Sequence, residues 1–573
     1  MSSCSTDLEF SISSAHVGCY NTDMQHIFTA LVWATVAWLS FVTVPVAHGE
    51  PLDPIVERQH FIASDNYSAE LKRLLELEQQ ALALIEDEPL KLGSIGAAIL
   101  EIYPASQTGH YAMQHYYRHV EATDALADHT TQLATIQNAM KDSGDGKPET
   151  PFSVMTIYDA QTYARTINNS PVGSIYQTDD DQPLLYLMVT RPQGARLRQV
   201  FFDISHLLQA LLEKDDHHAE ATAPETIAAN KQMQPWAVIR VLASKMDTAA
   251  QTSIGAFLTK NRKFDNAIGW LKVASRTGNI LANTLLARIY WQLAEQAEEG
   301  DKQVEYRDLS LENYLHAIAL GSTDSMYTLA GLYLNDFYGA ENRDAAVPLL
   351  RQAGELGHAE ALMYLAHLYN TGQHVDADRA EAISYFEKAA TLENSYAAIN
   401  YARFLIADAA KGNPAVETPV VAWLSKLADD DHAEAMIMLG NLHARGVTVP
   451  ESNRKAIRWY KKAIKAEPED PDIVNEVVWT LTVTDVPGLK RVRYAHRLMN
   501  RLMDNDEEAT KRPEYLDTWA ATYAAQGDFD EATRIQDSAI QAANQQSRQD
   551  VITILQEHLD QFKAKQAITE AAP

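Results

Sequence analysis

Cysteine is nearly absent. Cys4 and Cys19 are the only two in the chain, and both precede the long apolar run described below. No part beyond residue 50 can therefore use a thiolate nucleophile, a disulfide or a cysteine-type zinc site. Positive charge is also scarce, with 48 Lys and Arg against 77 Asp and Glu and a net charge of −29. A phosphate backbone would be repelled by most of such a surface, so no nucleic-acid partner is expected. Acidity of this size suits solubility and basic partners. No phosphate-binding glycine loop, serine-nucleophile elbow or paired-carboxylate motif stands out. What is present is a chain of 573 residues, 46% hydrophobic and rich in the helix formers Ala, Leu, Glu and Gln. That length allows about three to four average domains, or one long solenoid with an attached domain.

Residues 27–47 contain no charge and begin Ile27-Phe-Thr-Ala-Leu-Val-Trp-Ala. The run ends at Ala47-His48-Gly49, a small-x-small pattern that fits cleavage before Glu50. The expectation is an exported, periplasmic protein with a cleaved signal peptide. The alternative is an uncleaved inner-membrane anchor, because the run is long enough to span a bilayer and no Lys or Arg precedes it. A start at Met24 would give a leader of ordinary length. Any membrane association is expected only through this segment.

The strongest signal is internal repetition. Gly321, Ala330 and Tyr333 recur as Gly357, Ala366 and Tyr369 with a shift of 36 residues. The same shift carries Ala361 to Ala397 and Ala366 to Ala402, and a shift of 38 carries Ala397 to Ala435 and Ala402 to Gly440. Upstream, Gly278, Ala287 and Tyr290 map onto Gly321, Ala330 and Tyr333 with a shift of 43. Within a unit, Ala361, Leu362, Leu365, Ala366 and Tyr369 share one helical face, and Ala382, Phe386, Ala389 and Ala390 share the next. Small residues let two antiparallel helices approach, while Leu, Tyr and Phe fill the seams between hairpins. Gly372 and Gly446 suit left-handed caps after the first helix, as Gly357 does after the second. One hairpin cannot bury its apolar face alone, whereas a stack can.

Ala382-Ile-Ser-Tyr-Phe-Glu-Lys-Ala-Ala390, Ala456-Ile-Arg-Trp-Tyr-Lys-Lys-Ala463 and Ala435-Met-Ile-Met-Leu-Gly-Asn-Leu-His-Ala-Arg-Gly446 resemble the helices of Sel1-like repeats. The resemblance covers about 264–466. It departs from the family pattern at Glu393 and Asp431, which replace the hairpin-ending glycine, and at Asp408, which replaces the turn glycine. Past Pro468 the positions Leu516, Ala520, Tyr523, Gly527, Phe529, Ala532 and Ala539 resemble a tetratricopeptide repeat, with 492–503 expected as its partner helix. Residues 541–567 read as a polar closing helix. The resemblance implies a mainly α fold, a right-handed αα-hairpin solenoid of the Sel1-like and tetratricopeptide-like kind.

The preceding part is different. Helices are expected over 68–85 and 95–103, and a tetratricopeptide-like hairpin over 110–119 and 125–140. Ser143-Gly-Asp-Gly146 reads as a turn, followed by a helix near 160–167 and β-like runs at 184–190 and 199–204. This small α+β module, together with Phe201-Phe-Asp-Ile204, resembles a bacterial domain family of unknown function over about 95–212, which implies no activity. The expected organisation is 1–49 signal peptide or anchor, 50–140 helical, 141–213 α+β module and 214–263 linker and entry helices. It continues with 264–466 Sel1-like, 467–562 tetratricopeptide-like with the closing helix, and 563–573 a disordered tail.

Candidate chemistry is sparse. His115 and His119 lie four apart on an expected helix, with His110 one turn earlier, a spacing that can present two imidazoles to one metal ion. The intervening residues lack the metalloprotease glutamate, and Tyr111, Tyr116 and Tyr117 suit plain packing. Asp215-Asp-His-His218 reads as linker and Asp179-Asp-Asp181 as a turn rather than a calcium loop. Ser143–Gly146 could hold an anion on its amides or serve as a structural turn. Trp270, Trp423 and Trp459 recur at the second-helix position, as packing residues or as ligand contacts. No cofactor is expected. The function expected is a scaffold or adaptor that binds a protein or peptide partner without catalysis. The alternative is an envelope enzyme or ligand sensor with its site in the N-terminal module and the repeats recruiting substrate.

Overall fold

The computed structural model describes residues 52–178, 184–192, 196–207, 210, 235–392, 394–486 and 488–570. Cys4, Cys19, the apolar run, Asp179–Asp181, Asp215–His218 and Glu393 lie outside them. Among the described residues no helix is long and apolar enough to cross a membrane.

The stack begins earlier than the glycine spacing suggests. Helix Phe264–Ser275 is the second arm of a hairpin whose first arm is Thr248–Lys260. Successive hairpins follow as Ile280–Gln296 with Asp301–Ala319, Thr323–Leu334 with Ala346–Glu355, and Ala359–Thr371 with Arg379–Ala390. Ser395–Ala410 with Val420–Asp429 and Ala433–Arg445 with Asn453–Ala466 complete this series. One continuous apolar core runs from Ala287 to Tyr515, and Ala267, Leu271 and Ala274 of the first hairpin cluster separately with Ala282 and Leu286. Small residues line the contacts within a hairpin, as Ala361, Ala366, Ala389, Ala397 and Ala402 show by being fully or almost fully buried. Tyr314, Tyr401 and Tyr460 fill the gaps left by these alanines, which is the expected mix of close approach and bulky filling.

The departures from the repeat pattern have local physical accounts. Gly278, Gly321 and Gly357 follow the second helices with φ of 78°, 95° and 85°, and Asp431 adopts the same left-handed region with φ 60°. Aspartate tolerates that region because its short side chain bonds locally. At Asp408 no turn forms. The first helix runs on to Ala410, and Gly412 takes the left-handed position with φ 82°. Asp408 is instead a buried anchor, receiving Arg379 Nε at 2.9 Å, Arg379 Nη2 at 2.7 Å and Asn413 Nδ2 at 2.6 Å.

Toward the C-terminus the pairing differs from expectation. Val492–Asn505 is the hairpin partner of Pro471–Val483, while Pro513–Ala524 pairs with Phe529–Gln545 around Gly527. The expected closing helix is two segments, broken at Ser547 with φ 57°. The last helix, Gln549–Lys563, is amphipathic and buries Leu555, Leu559 and Phe562. The expected disordered tail is ordered as far as residue 570. Ile568 is buried, Glu570 N donates to Val483 O at 2.9 Å and Asp485 N to Glu570 O at 2.8 Å. A buried apolar side chain plus two backbone bonds offset the cost of ordering these few residues.

The α+β module is a four-stranded sheet. Its strands are β1 Phe152–Ser153, β2 Asn169–Gln177, β3 Leu185–Pro192 and β4 Arg198–Asp203, in the order β1-β4-β3-β2. β1 runs parallel to β4 and the other pairs are antiparallel. The sequence signal missed β2 because Pro171 and Gly173 interrupt it. It is an edge strand with a register shift between those two residues, the place where proline and glycine are tolerated. Its side chains and backbone reach the stack. Asn279 Nδ2 donates to Ser174 O at 2.8 Å and to Thr252 Oγ1 at 3.0 Å. Val189, Ile280 and Ala317 form a buried seam with Val172, Leu197, Leu281 and Leu320 around it.

Candidate protein-binding surface

The first helices of three successive hairpins start at N-caps spaced by one repeat: Ser322, His358 and Asn394. Ser322 Oγ accepts from Ser325 N at 3.1 Å, His358 Nδ1 from Ala361 N at 3.1 Å and Asn394 Oδ1 from Ala397 N at 3.1 Å. Each satisfies a helix-end amide that would otherwise be orphaned. Because Nδ1 of His358 accepts, its other nitrogen carries the proton, and Nε2 donates to Asp324 Oδ1 at 3.1 Å. One side chain thereby caps its own helix and binds the first turn of the first helix in the preceding hairpin.

An aromatic row lies over these caps. Tyr327 stacks on His358 with centroids 5.0 Å apart, and Tyr364 meets Tyr327 edge-on at 6.2 Å. Tyr396 of the next hairpin is 57% exposed, an unusual display for a large ring in a structured helix. Burial raises the Tyr327 pKa, and the neighbouring Tyr364, Glu360 and Tyr396 add to the rise. The Asp324 carboxyl is held below its ordinary range chiefly by the His358 hydrogen bond, with Arg196 contributing. Arg196 comes from the connection between β3 and β4, and its Cδ lies against Gly357, 3.3 Å from where a Cβ would stand. Arg191 Nη2, on β3, donates to Ala319 O at 3.1 Å. The surface therefore combines aromatic faces, carboxylates of Asp324 and Glu360, and a guanidinium supplied by the module. It offers ring faces for stacking and side chains for hydrogen bonding.

The residues singled out in the sequence are dispersed. Trp270, Trp423 and Trp459 are half-buried on second helices of three different hairpins. Trp423 borders a pocket of about 430 Å³ with Asn394, Ser395 and Lys426, and Lys462 Nζ sits 4.2 Å over the Trp459 ring. His115 is half-buried with its ring edge against Tyr111 at 4.7 Å, while His119 is exposed in the last turn of Gln107–His119. His110 faces neither, since its Nδ1 lies 2.8 Å from His129 Nδ1 and its Nε2 3.0 Å from Pro104 O. Among the described residues no group of three or more His, Cys, Asp or Glu is placed to hold a metal ion. At the Ser143–Gly146 turn the amides of Asp145 and Gly146 both donate to Thr150 O, at 2.9 and 3.1 Å. Those amides close the turn on the segment before β1 rather than facing an anion.

One polar cluster went unnoticed in the sequence. Glu78 is fully buried and accepts from the hydroxyls of Ser106, at 2.6 Å, and Thr156. Ser106 and Thr156 are themselves the N-caps of helices Gln107–His119 and Ile157–Thr166. Burial, reinforced by Asp159, pushes the Glu78 pKa well above its ordinary value against the pull of the two hydroxyl bonds, and the one carboxyl joins two helix ends. A lone glutamate inside an amphipathic helix gives no sequence signal for this role.

This geometry defines a helical-repeat scaffold of the Sel1 and tetratricopeptide type, a fold that is generally non-catalytic and generally mediates protein–protein contacts. The Sel1 repeat family model matches residues 323–358, 359–394 and 433–467. The hairpin between the last two carries Asp408 and Asp431. A chitin synthase regulator of Saccharomyces cerevisiae is 27% identical over 154 residues, which is 26% of this chain and 22% of that protein. Among solved structures, a Sel1 repeat protein from Oxalobacter formigenes is similar at 20% identity with a TM-score of 0.31, over 44% of this chain and 96% of that one. A protective antigen of uropathogenic Escherichia coli displaying an SLR fold is similar at 14% identity with a TM-score of 0.37, over 91% of this chain and 99% of that one.

Proposed function

We propose that the chain is an exported scaffold that holds a protein or peptide partner across the surface around Tyr396, with no covalent step. The observation that carries this reading is the exposed Tyr396 ring, near enough to Tyr327 to raise its pKa, with Tyr327 itself against His358 and Tyr364, the side chains coming from consecutive hairpins. Exposed aromatic rings on a rigid base supply contact area at low entropic cost. Export rests on the uncharged apolar run at 27–47 and the Ala47-His48-Gly49 pattern. The test is photo-crosslinking from position 396 in the native organism, with Tyr396→Ala as the competing variant. A partner should be captured, and Tyr396→Ala should lower its affinity at least about tenfold while leaving the unfolding midpoint unchanged. Unchanged affinity in Tyr396→Ala would end this reading. Fractionation with N-terminal sequencing tests export separately, the expected first residue being Glu50.

A further inference from the structure

Far along the chain from the repeat surface, a cleft of about 390 Å³ opens among helix Pro54–Ile62, the junction at Tyr103–Gln107, the end of Thr123–Asp142 and the segment after β1. Its walls are largely apolar, with Ile62, Tyr103, Ile136 and Met140 prominent. That volume falls in the range of small-molecule sites. The polar groups in it are few and specific.

Gln107 is only 2% exposed and lines the cleft. Among the described residues no group lies within hydrogen-bonding reach of its Oε1, and its Nε2 makes a 3.5 Å contact with Met140 Sδ. A buried carboxamide oxygen without a donor is uncommon, because the lost solvation is not replaced. Most other buried polar groups around it are matched. Asp159 Oδ1 accepts from Thr108 N at 3.1 Å, and the Thr108 hydroxyl lies 2.9 Å from that of Thr162. Gln107 is thus a cleft-lining residue whose buried acceptor is unmatched.

Charge narrows the ligand further. Arg58, Asp142 and Asp159 all border the cleft. Arg58 donates to the Ser153 hydroxyl and lies 3.4 Å from His206 Nδ1, and it forms no ion pair among the described residues. An anion would meet the two acids and a cation would meet Arg58. Desolvating either ion is costly without a matched counter-charge. A neutral molecule avoids both penalties. Burial pushes the Asp159 pKa up to about 7, against the backbone bonds from Thr108 and Gln107.

We propose that this cleft binds one small, neutral, largely apolar molecule through a single N–H or O–H donated to Gln107 Oε1, independently of the partner surface on the repeats. Indole and 1-methylindole form a matched pair of probes, since both are flat and apolar and only indole has an N–H. Isothermal titration of the full chain should give one indole per chain, with 1-methylindole at least about tenfold weaker, the worth of one hydrogen bond to a desolvated acceptor. Gln107→Leu should erase the preference while both probes still bind. Ala139→Phe, which fills the cleft from its half-exposed wall, should abolish both and also serves if Gln107→Leu fails to fold. Equal binding of the two probes, a preference that survives Gln107→Leu, or no indole binding up to about 1 mM (a free energy near that of the weakest specific complexes) would overturn the proposal.

Discussion

His358 illustrates how much one side chain can settle. Its Nδ1 caps one helix, its Nε2 holds Asp324 of the preceding repeat, and its face supports Tyr327. The sequence places a serine, a histidine and an asparagine at the equivalent positions 322, 358 and 394, all side chains able to accept an amide, yet only coordinates reveal the stacking. Gly440 is a second case. The repeats carry Ala366 and Ala402 at that position, and the change to glycine has a cause: a Cβ there would stand 2.4 Å from Cε1 of the fully buried Tyr460. Tyr460 is fixed by its hydroxyl bond to Asn441 Oδ1 at 2.7 Å. Gly440→Ala should therefore destabilise by about 2 kcal/mol, as overpacking does. Urea unfolding would measure it, and Tyr460→Leu in the same chain should recover part of the loss.

At the scale of elements, the repeat period was legible because it is written in small residues that must be small in every copy. The long helix Ser395–Ala410 was not, since Asp408 looks like a substituted turn residue and acts as a buried partner for Arg379. Asp408→Ala should cost about 2 kcal/mol by stranding a partly buried guanidinium, discounted for the solvent that reaches Arg379. Thermal unfolding of the chain reads this directly. β2 and the ordered tail escaped notice for a shared reason, as both are held by groups distant in sequence rather than by their own pattern.

The tail also carries a pH dependence. His558 is buried with Nδ1 at 2.9 and 3.0 Å from the two Asp517 oxygens, and Trp479 Nε1 donates to Glu570 Oε2 at 3.0 Å beside it. Burial alone would lower the His558 pKa, but the Asp517 hydrogen bond and charge, with Glu570 and Glu557, outweigh it and hold the value above the ordinary one. The stability linked to protonated His558 is then fully present below the unfolded value of about 6.5 and is lost as pH rises through the higher folded value. Amide exchange at Glu570 should speed up relative to His558→Gln as pH is raised from about 6 to about 8.5. A wild-type profile parallel to that of the variant would refute the linkage.

For the molecule as a whole, residues from Pro54 onward form one compact unit, and the junction of module and stack depends on few groups. Asn279 is buried and does three jobs: it caps its own helix at Leu281 N, 3.0 Å away, and bonds Ser174 O and Thr252 Oγ1. Asn279→Ala should lower stability by about 2 to 3 kcal/mol, the sum expected for a lost cap and an unsatisfied strand carbonyl. Protease cleavage within β2 should appear at lower denaturant than in the unaltered chain. The architecture of the stack could be read from the sequence; this junction could not, because Asn279 looks like an ordinary helix cap.

Arrays of identical units usually gain or lose copies freely, since each copy touches only its neighbours. Here the module touches two successive hairpins at once, through Ser174 on Asn279 and Arg191 on Ala319 at the two ends of one, and Arg196 beside Gly357 at the end of the next. Adding a copy between residues 280 and 357 would spread these seats by a whole hairpin, and removing one would take a seat away. Copy number is thus locked between residues 280 and 357 for as long as the module keeps these contacts, and lengthening or shortening that spares them falls in the hairpins from Ala359 onward.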